Sequence, residues 1–316
     1  MSKPDKKYDE LEQYDVNSIL ADHVLSDLLK ERRSERRWRW IKRLAFSGMG
    51  VGLFAVYLAF YASSLGYKLM PNAEIVAIVN VSGSIGAGQL ASAEELVPVL
   101  EKVFHSPKVK AVALNIDSPG GQPFESERIA ETLDRLKVET GKIVYAFIGN
   151  TGASAAYMLA LHADRIIAGR YSRVGSIGAI IAGWDFHKLA EKWDINQRIY
   201  ASGVHKNMLN PFAAMSKESE EKAQQMVDQM AVVFSKEFQE KRKGKIREGF
   251  NYTTGEIWGG EQALEIGLID EIGTIESVVN REWHLPTHDF GPTNKSKGFF
   301  PQFSAQIMKT VLSWAN

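Results

Sequence analysis

The sequence predicts an α/β fold preceded by one transmembrane helix, and two observations carry this prediction. From Glu74 onward, short apolar runs alternate with longer segments whose apolar residues recur at helical spacing, and turn residues separate them. Alternation of this kind is typical of parallel βαβ units in which helices pack on the sheet. Ahead of Glu74 lies a long apolar segment, residues 44–67, without a charged side chain.

Residues 44–67 have the composition of a membrane-spanning helix. Apart from tyrosine hydroxyls the segment has no ionisable group, and its length suits the roughly 20 residues that cross about 30 Å of hydrocarbon. Trp38 and Trp40 precede it, where interfacial anchors are usual. A buried core helix is the alternative interpretation. A cleaved signal peptide would have a shorter apolar run, so we expect an uncleaved anchor.

The two flanks of this segment differ in charge. Residues 30–43 carry eight lysines and arginines against two glutamates, whereas Lys68 is the first cation on the far side. The positive-inside rule therefore predicts that the charged N-terminal tail 1–43 is cytoplasmic. It also predicts that the domain over residues 70–283 is extracytoplasmic.

Residues 284–316 are predicted as a C-terminal tail. Proline and glycine are frequent in its first part, and apolar residues return near its end at Ile307, Met308, Val311, Leu312 and Trp314. This spacing is typical of an amphipathic helix. Two interpretations stay open for this helix: one bound on the protein surface and one that touches the membrane.

The composition excludes several function classes. The formal net charge is +0, so nucleic acid is not an expected partner. The chain has no cysteine, which excludes disulfides and cysteine-ligated metal sites. Its histidines, aspartates and glutamates show no metal-ligand spacing, and it has no glycine loop of the phosphate-binding kind. We therefore expect neither a metal nor another cofactor.

Strand and helix signals follow one another from Glu74 in a regular order. The first helix has a clear start, because Ser92 and Glu95 form a capping-box pair ahead of apolar residues at helical spacing. The predicted strands are 75–79, 109–116, 143–148 and 165–168, and the predicted helices follow Ser92, cover 125–136, run from Ser154 through Leu161 and cover 217–243.

Two glycine-bearing turns follow neighbouring strands of the predicted sheet. One is residues 117–121, with the sequence DSPGG, and the other is residues 152–154, with the sequence GAS. Ligands of parallel α/β sheets bind at the carboxyl ends of the strands. We therefore expect the reaction centre to lie between these two turns.

Ser154 is the candidate nucleophile, because a strand, a sharp turn of small residues and a helix place it at a helix N-terminus. The helix dipole and the N–H of Ala155 favour negative charge there, and Gly120 or Gly121 offers a second backbone donor. The elbow motif G-x-S-x-G is matched imperfectly, since its last position is Ala156. Taken alone, Ser154 would also fit an ordinary helix N-cap.

A serine hydroxyl needs a nearby base to act as a nucleophile at neutral pH. Lys206, in the segment 202–211, is the candidate, because a lysine that burial makes neutral can accept the proton. His205 is the alternative base, since histidine is the commoner partner of a nucleophilic serine. Asp117 either orients such a histidine or starts its turn, and we favour the turn. His162 is predicted to be structural.

Several motifs, taken in order, resemble those of the signal peptide peptidase A (protease IV) family of membrane-anchored Ser-Lys peptidases. The likeness runs from about Glu74 to Val279. The motifs are DSPGG at 117–121, the turn at 152–154 with Tyr157 after it, VGSIG at 174–178, the segment 202–211 with Lys206, and GEIWGGEQALEIGLIDEIG at 255–273.

The resemblance implies a fold of the crotonase and Clp-protease kind, built from repeated ββα and βαβ units. It implies that Ser154 is the nucleophile and Lys206 the general base of a Ser-Lys dyad. Ser176 matches a family serine whose hydroxyl holds the lysine amine, and the match puts Gly120 or Gly121 in the oxyanion hole.

The same resemblance implies a serine endopeptidase that degrades cleaved signal peptides and other short unfolded peptides at the extracytoplasmic face. Its expected location is the bacterial inner membrane, which it crosses once, with the lipid bilayer as a partner. Short one-domain members form homo-oligomers, and we expect a tetramer to an octamer. Ser154 and Lys206 are then expected to come from neighbouring protomers.

One departure separates this chain from the family pattern. The family usually has Ser-Gly-Gly-Tyr at the nucleophile, whereas this chain has Ser154-Ala155-Ala156-Tyr157. The two added methyl groups are expected to narrow the pocket beside the serine. The alternative function is that of an inactive family member, a membrane-anchored binding or scaffold protein. A third hypothesis is a crotonase-type acyl-CoA enzyme on the same fold.

Overall fold

The structure is a computed structural model that describes residues 37–61 and 72–292. The first range is one helix, α1 (Arg37–Tyr61), which is long and apolar enough to cross a membrane. It begins before the predicted residue 44 and so includes part of the basic flank. The end of the predicted span, the tail before Arg37 and the amphipathic helix predicted around 307–314 lie outside the described residues.

The second range is an α/β domain built on one eight-stranded sheet. Its strands are β1 (Ile75–Ser82), β2 (Val109–Ser118), β3 (Ile143–Ala153), β4 (Arg165–Ala168), β5 (Arg173–Gly175), β6 (Ile257–Gly259), β7 (Glu271–Ile272) and β8 (Thr287–Asp289). They lie in the order β6-β5-β3-β2-β1-β8, while β4 pairs with β3 and β7 pairs with β4. All these pairings are parallel except that of β5 with β6.

Helices connect and cover the strands. They are α2 (Ala93–Phe104), α3 (Pro123–Thr140), α4 (Ala155–Ala160), α5 (His187–Lys192), α6 (Lys217–Lys241), α7 (Gly260–Glu265) and α8 (Ile275–Glu282). The start of α2 is confirmed, because Ser92 Oγ accepts the Glu95 N–H at 3.3 Å. α3 begins with Pro123, whose missing N–H is harmless in a first helical turn.

The predicted α/β class and its βαβ units are confirmed by the parallel pairing of β1, β2, β3 and β4. β2 and β3 run further than predicted, to Ser118 and Ala153, and so carry the ladder into the glycine turns. The strands β5 to β8 were not predicted, because none of them is long enough to show a period in the sequence. β8 pairs with β1 and keeps the chain in the sheet beyond residue 283.

The sheet is covered on both faces. Along β3, Val144, Ala146 and Ile148 join the larger buried cluster, whereas Tyr145 and Phe147 join a smaller one. This division follows from the two-residue period of a strand. Helices α2, α3 and α4 supply the larger cluster and α8 the smaller one. Burial on both faces is the usual environment of parallel strands.

A buried arginine fixes the end of α6 to the rest of the domain. Arg242 follows that helix, and its Nε donates to the Gly267 carbonyl at 2.9 Å. Its Nη1 also lies 3.0 Å from both carboxylate oxygens of Asp270. Because a buried guanidinium left without its partners is strongly destabilising, these contacts hold α6 in place.

Candidate active site

The candidate site lies where β2, β3 and β5 end at one edge of the sheet. In the parallel register, Ala153 lies opposite Gly175, and the Ser154 N–H donates to the Gly175 carbonyl at 2.8 Å. Neighbouring strands are about 4.8 Å apart. Ser154 and Ser176, which come directly after the paired residues, are therefore neighbours at this edge.

Ser154 has a strained backbone. Its φ of 53° and ψ of −128° lie outside the regions that residues other than glycine normally adopt, and such a conformation costs about 1–3 kcal/mol. It caps α4, yet its hydroxyl makes no capping hydrogen bond. A strained turn between strand and helix is the geometry that exposes a nucleophilic serine. The generic elbow motif is incomplete here, but the conformation it encodes is present.

The proline-glycine turn after β2 packs directly against Ser154. A Cβ atom on Gly120 would lie 2.7 Å from the Ala153 carbonyl oxygen and 2.8 Å from the Ser154 Cβ. The φ of Gly120 is +98°, which also favours glycine. The close approach therefore requires glycine, and it brings the two predicted turns together.

The turn after β2 and the start of α4 each offer a backbone N–H group that is free to bind an oxyanion. The Gly120 N–H donates to Ser118 Oγ at 3.1 Å. The bridge between this turn and Ile85 uses the Gly120 carbonyl and the Gln122 N–H, so the Gly121 N–H takes part in none of these bonds. Ala155 is the first residue of α4, and N–H groups of a first helical turn have no partner within the helix. The geometry thus favours Gly121 over Gly120 as a donor.

Ser176 shares the unusual backbone of Ser154. Its φ is also 53°, and its N–H donates to the Glu256 carbonyl at 2.6 Å. The preceding Gly175 has a φ of +113°, and a Cβ there would lie 2.5 Å from a ring carbon of Trp258. The pairing of β5 with β6 therefore fixes the half-buried Ser176 beside the candidate nucleophile.

The structure of the single chain does not bring Lys206 to Ser154. Lys206 is exposed, and its N–H donates to the Gly203 carbonyl in a turn. It does not line the cleft that contains Ser154. The two predicted members of the dyad therefore share neither a hydrogen bond nor this cleft among the described residues.

The two alternative polar residues have other partners. His205 Nδ1 lies 3.4 Å from Ser219 Oγ, and its Nε2 lies 3.7 Å from Glu218, both at the start of α6. Asp117 accepts the Thr151 N–H at 3.1 Å and the Asn150 side-chain amide at 2.8 Å. Asp117 is thus a residue of β2 rather than of the turn, and its carboxylate braces the end of β3.

A cleft of about 480 Å³ opens beside Ser154 between α3, α4 and α6. Its walls are largely apolar, from Ala130, Met158, Met230, Val233 and Phe234, and its charged residues are Glu127, Glu131, Asp134, His162 and Glu237. Ala155 also lines this cleft, whereas Ala156 is fully buried and does not. Of the two methyl groups that depart from the family pattern, only that of Ala155 therefore narrows the space beside Ser154.

His162 closes the far end of the cleft, and this cluster was not predicted from the sequence. The ring is buried, with Nδ1 2.8 Å from Asp134 and Nε2 2.7 Å from Glu237. Burial alone would lower the pKa of His162, but the two carboxylates raise it, and the net direction is upward. Burial would raise the pKa of Asp134, but hydrogen bonds from His162 and Lys241 lower it to about 2.

No metal site is evident in the described residues. Across 37–61 and 72–292, no group of three or more histidine, aspartate, glutamate or cysteine residues is arranged to hold a metal ion.

Comparison with known proteins identifies similar chains. The profile of peptidase family S49 matches residues 137–285. A protein of Synechocystis sp. named "Putative protease" is 30% identical over 208 residues, which cover 66% of this chain and 72% of that protein. The "Putative signal peptide peptidase SppA" of Enterococcus faecium is 32% identical over 181 residues, which cover 57% of this chain and 52% of that protein.

A further similar protein is much longer than this chain. The "Na(+)/H(+) antiporter NhaA" of Brucella abortus is 33% identical over 213 residues, which cover 66% of this chain. The chain spans 29% of the length of that protein, and the likeness concerns that part alone.

The contact between Gly120 and Ser154 predicts that Gly120→Ala disables the serine. The new methyl group would overlap the Ala153 carbonyl and the Ser154 Cβ, and a displacement near 1 Å costs about 10²-fold in rate. We expect labelling of Ser154 by a fluorophosphonate probe to slow by about that factor, measured with the full chain under folding conditions. Gly88→Ala is the control, because Gly88 also has a positive φ of +74° but has open space around it. Labelling of Gly120→Ala at the wild-type rate would refute the packing argument.

The His162 cluster predicts a pH-dependent contribution to stability. Because its native pKa is raised, the stabilisation is fully present below the unfolded value of about 6.5 and is lost as pH rises through the native value. We expect His162→Gln to lower the free energy of unfolding by about 2 kcal/mol near pH 6, and by less near pH 9. Urea denaturation at both pH values measures this difference.

His105→Gln is the matched control for that experiment. His105 is exposed, and its ion pair with Glu101 lies at the surface, so its loss should change stability little at either pH. A His162→Gln cost that stays constant or grows with pH would contradict the charged form of His162.

Proposed function

The chain belongs to peptidase family S49, and from this premise we propose that it is a membrane-anchored serine endopeptidase with a Ser154–Lys206 dyad. The single observation that carries the proposal is the strained, glycine-packed backbone of Ser154 at a helix N-terminus. Strain of this kind is retained at functional sites and has no evident structural purpose in a scaffold protein.

The proposed mechanism follows from the groups around Ser154. A neutral Lys206 amine takes the hydroxyl proton, and Ser154 Oγ attacks the scissile carbonyl carbon. The N–H groups of Gly121 and Ala155 stabilise the oxyanion of the tetrahedral intermediate. The lysine then gives its proton to the leaving amine, and water hydrolyses the acyl-enzyme by the same route. Ser176, fixed beside Ser154, holds the lysine amine in position.

Because Lys206 is exposed in the single chain, we infer that it acts at Ser154 of a neighbouring protomer. Burial by that neighbour would favour the neutral amine that the mechanism needs. The region around Lys206 exposes many large apolar side chains, which supports a subunit interface. They include Ile180, Trp184, Leu189, Trp193, Ile195, Tyr200, Val204, Leu209 and Phe212. A homo-oligomer between a tetramer and an octamer would bury them.

The proposed substrates are cleaved signal peptides and other short unfolded peptides in or near a bacterial inner membrane. The anchor would be α1, with the basic residues at its start on the cytoplasmic side. The peptidase domain would then act on the extracytoplasmic face. The likeness to the signal peptide peptidase of Enterococcus faecium supports this substrate class.

A complementation experiment tests the dyad and its subunit arrangement together. Ser154→Ala and Lys206→Ala should each lower kcat/KM on an unfolded peptide by about 10³-fold or more. Oligomers that contain both variants should regain up to about a quarter of the wild-type activity, since random mixing restores that share of interfaces. Coexpression with two affinity tags, followed by tandem purification, gives the mixed oligomers.

The outcomes of this experiment separate the alternatives. Mixed oligomers without activity would refute a dyad shared between protomers. A Lys206→Ala protein that retains activity would refute the dyad itself. His205→Ala is the matched control, since His205 is next to Lys206 and should be dispensable; its loss of activity would instead favour histidine as the base.

The proposed orientation is tested with reporters fused after Asn316 in the full chain. Alkaline phosphatase becomes active only outside the cytoplasm, so we expect it to be active when fused after Asn316. A fluorescent protein that matures only in the cytoplasm should be dark at the same position. The reverse result would overturn the predicted orientation, and the same two reporters fused ahead of Met1 provide the control with the opposite expected pattern.

A further inference from the structure

The cleft beside Ser154 combines apolar walls with two exposed carboxylates of α3, those of Glu127 and Glu131. We infer that it binds a lysine or arginine side chain of the peptide, on the acyl side of the scissile bond. The inference rests on the proposed peptidase function, because it concerns the specificity of the same site. Glu127 and Glu131 are the residues that would determine this specificity.

Helices α3 and α4 run side by side away from the reaction centre. Near Ser154, Ser126 Oγ donates to the Ala155 carbonyl at 2.7 Å. At the far end, Asp134 meets His162 at 2.8 Å. Residues near the start of α3 therefore lie at the Ser154 end of the cleft, and residues near Asp134 lie at its far end.

The two candidate glutamates lie at different depths. Glu127 directly follows Ser126 and lies near the mouth, and Glu131 lies about 6 Å further along the helix axis. Both line the cleft and are exposed. A side chain that enters beside Ser154 must be long to place a charged group between them, and lysine and arginine have such side chains.

The walls between these two depths are suited to an aliphatic stem. Ala130 and Met158 are buried, and Phe234 and Met230 of α6 lie across from them. Lysine and arginine bury their methylene groups against apolar surface and keep the charged head near polar groups. Methionine side chains adapt readily to such stems.

The charges at the far end of the cleft are already compensated. Asp134 contacts both His162 and Lys241, and Glu237 contacts His162. These two carboxylates therefore have cationic partners within the protein. The remaining negative charge of the cleft comes from Glu127 and Glu131.

Glu127 and Glu131 have no cationic partner in the part of the chain that the structure describes. The basic residues of α3 are committed elsewhere: Arg128 to Glu125, Arg135 to Glu101 and Glu139, and Lys137 to Asp164. Like charges four residues apart on a helix repel each other. A bound cation between them would remove this repulsion, whereas a substrate carboxylate would increase it.

Three peptides that differ at a single residue test the inference. They carry lysine, norleucine or glutamate on the acyl side of the cleaved bond, and norleucine keeps the stem of lysine without its charge. With the full chain in detergent at low salt, we expect kcat/KM for lysine to exceed that for norleucine by about tenfold. The glutamate peptide should be the poorest, and about 0.5 M salt should reduce the lysine preference.

The double variant Glu127→Gln, Glu131→Gln should lower the lysine-to-norleucine ratio toward one, through a loss of kcat/KM for the lysine peptide. The matched control is Glu94→Gln, Glu95→Gln, which removes two exposed carboxylates from α2, outside the cleft. A wild-type enzyme without lysine preference, or a ratio that the cleft variant leaves unchanged, would overturn the inference. A change of oligomer mass in the cleft variant would also overturn it, because the glutamates would then belong to a subunit contact.

Binding distinguishes failure of this inference from failure of the proposed function. Calorimetric titration of the Ser154→Ala protein with the same peptides measures the lysine preference without turnover. Tighter binding of the lysine peptide supports the cleft assignment even if the wild-type chain cleaves none of the three. Peptide cleavage that depends on Ser154, combined with equal binding of lysine and norleucine peptides, refutes the cleft assignment alone.

Discussion

The parallel register of β2, β3 and β5 positions the candidate active site. It sets Ala153 opposite Gly175, so that the two strained serines after them are neighbours. The β2–β3 ladder, which still pairs Ser118 with Gly152, brings the following glycine turn against Ser154. A slip of one residue in either pairing would turn each side chain to the opposite face of the sheet. Because both faces are buried, packing in the core fixes the register that brings Ser154 beside Ser176 and beside the glycine turn.

Helix α4, directly after Ser154, holds the strained backbone of that serine in place. Every residue of α4 is buried, and Tyr157 donates from its hydroxyl to the Leu268 carbonyl at 2.7 Å. Burial of a large side chain stabilises by about 1.5–3 kcal/mol, which is enough to offset a strained residue of about 1–3 kcal/mol. A short helix that is buried on all sides has little freedom to relax. Ser154 can therefore remain in an unfavourable conformation without a capping hydrogen bond from its hydroxyl.

The sequence predicted the features that depend on neighbouring residues, and it did not predict those that depend on contacts between distant segments. The long strands and helices were predictable from periodicity, and the meeting of two glycine turns followed from the parallel sheet. The His162 cluster was not predictable, because Asp134 and Glu237 come from helices whose packing sets their distance to the ring. Strands of two or three residues carry no period. The proposed proximity of Lys206 to Ser154 was not predictable from local patterns either, because the two residues are 52 positions apart and Lys206 is exposed in a turn of the single chain.

Two features of the candidate site have compatible consequences: the departure from the family pattern directly after Ser154, and the acidic residues of the cleft. The methyl group of Ala155 occupies part of the space nearest to Ser154, whereas that of Ala156 is absorbed by the core. A side chain entering there passes the Ala155 methyl group first, and β-branched side chains are bulky and stiff at that point. An unbranched stem passes more easily and can then lie against Met158 and Met230, which line the same cleft as Glu131. Ala155 therefore favours the shape, and the glutamates favour the charge, of the same long cationic side chains.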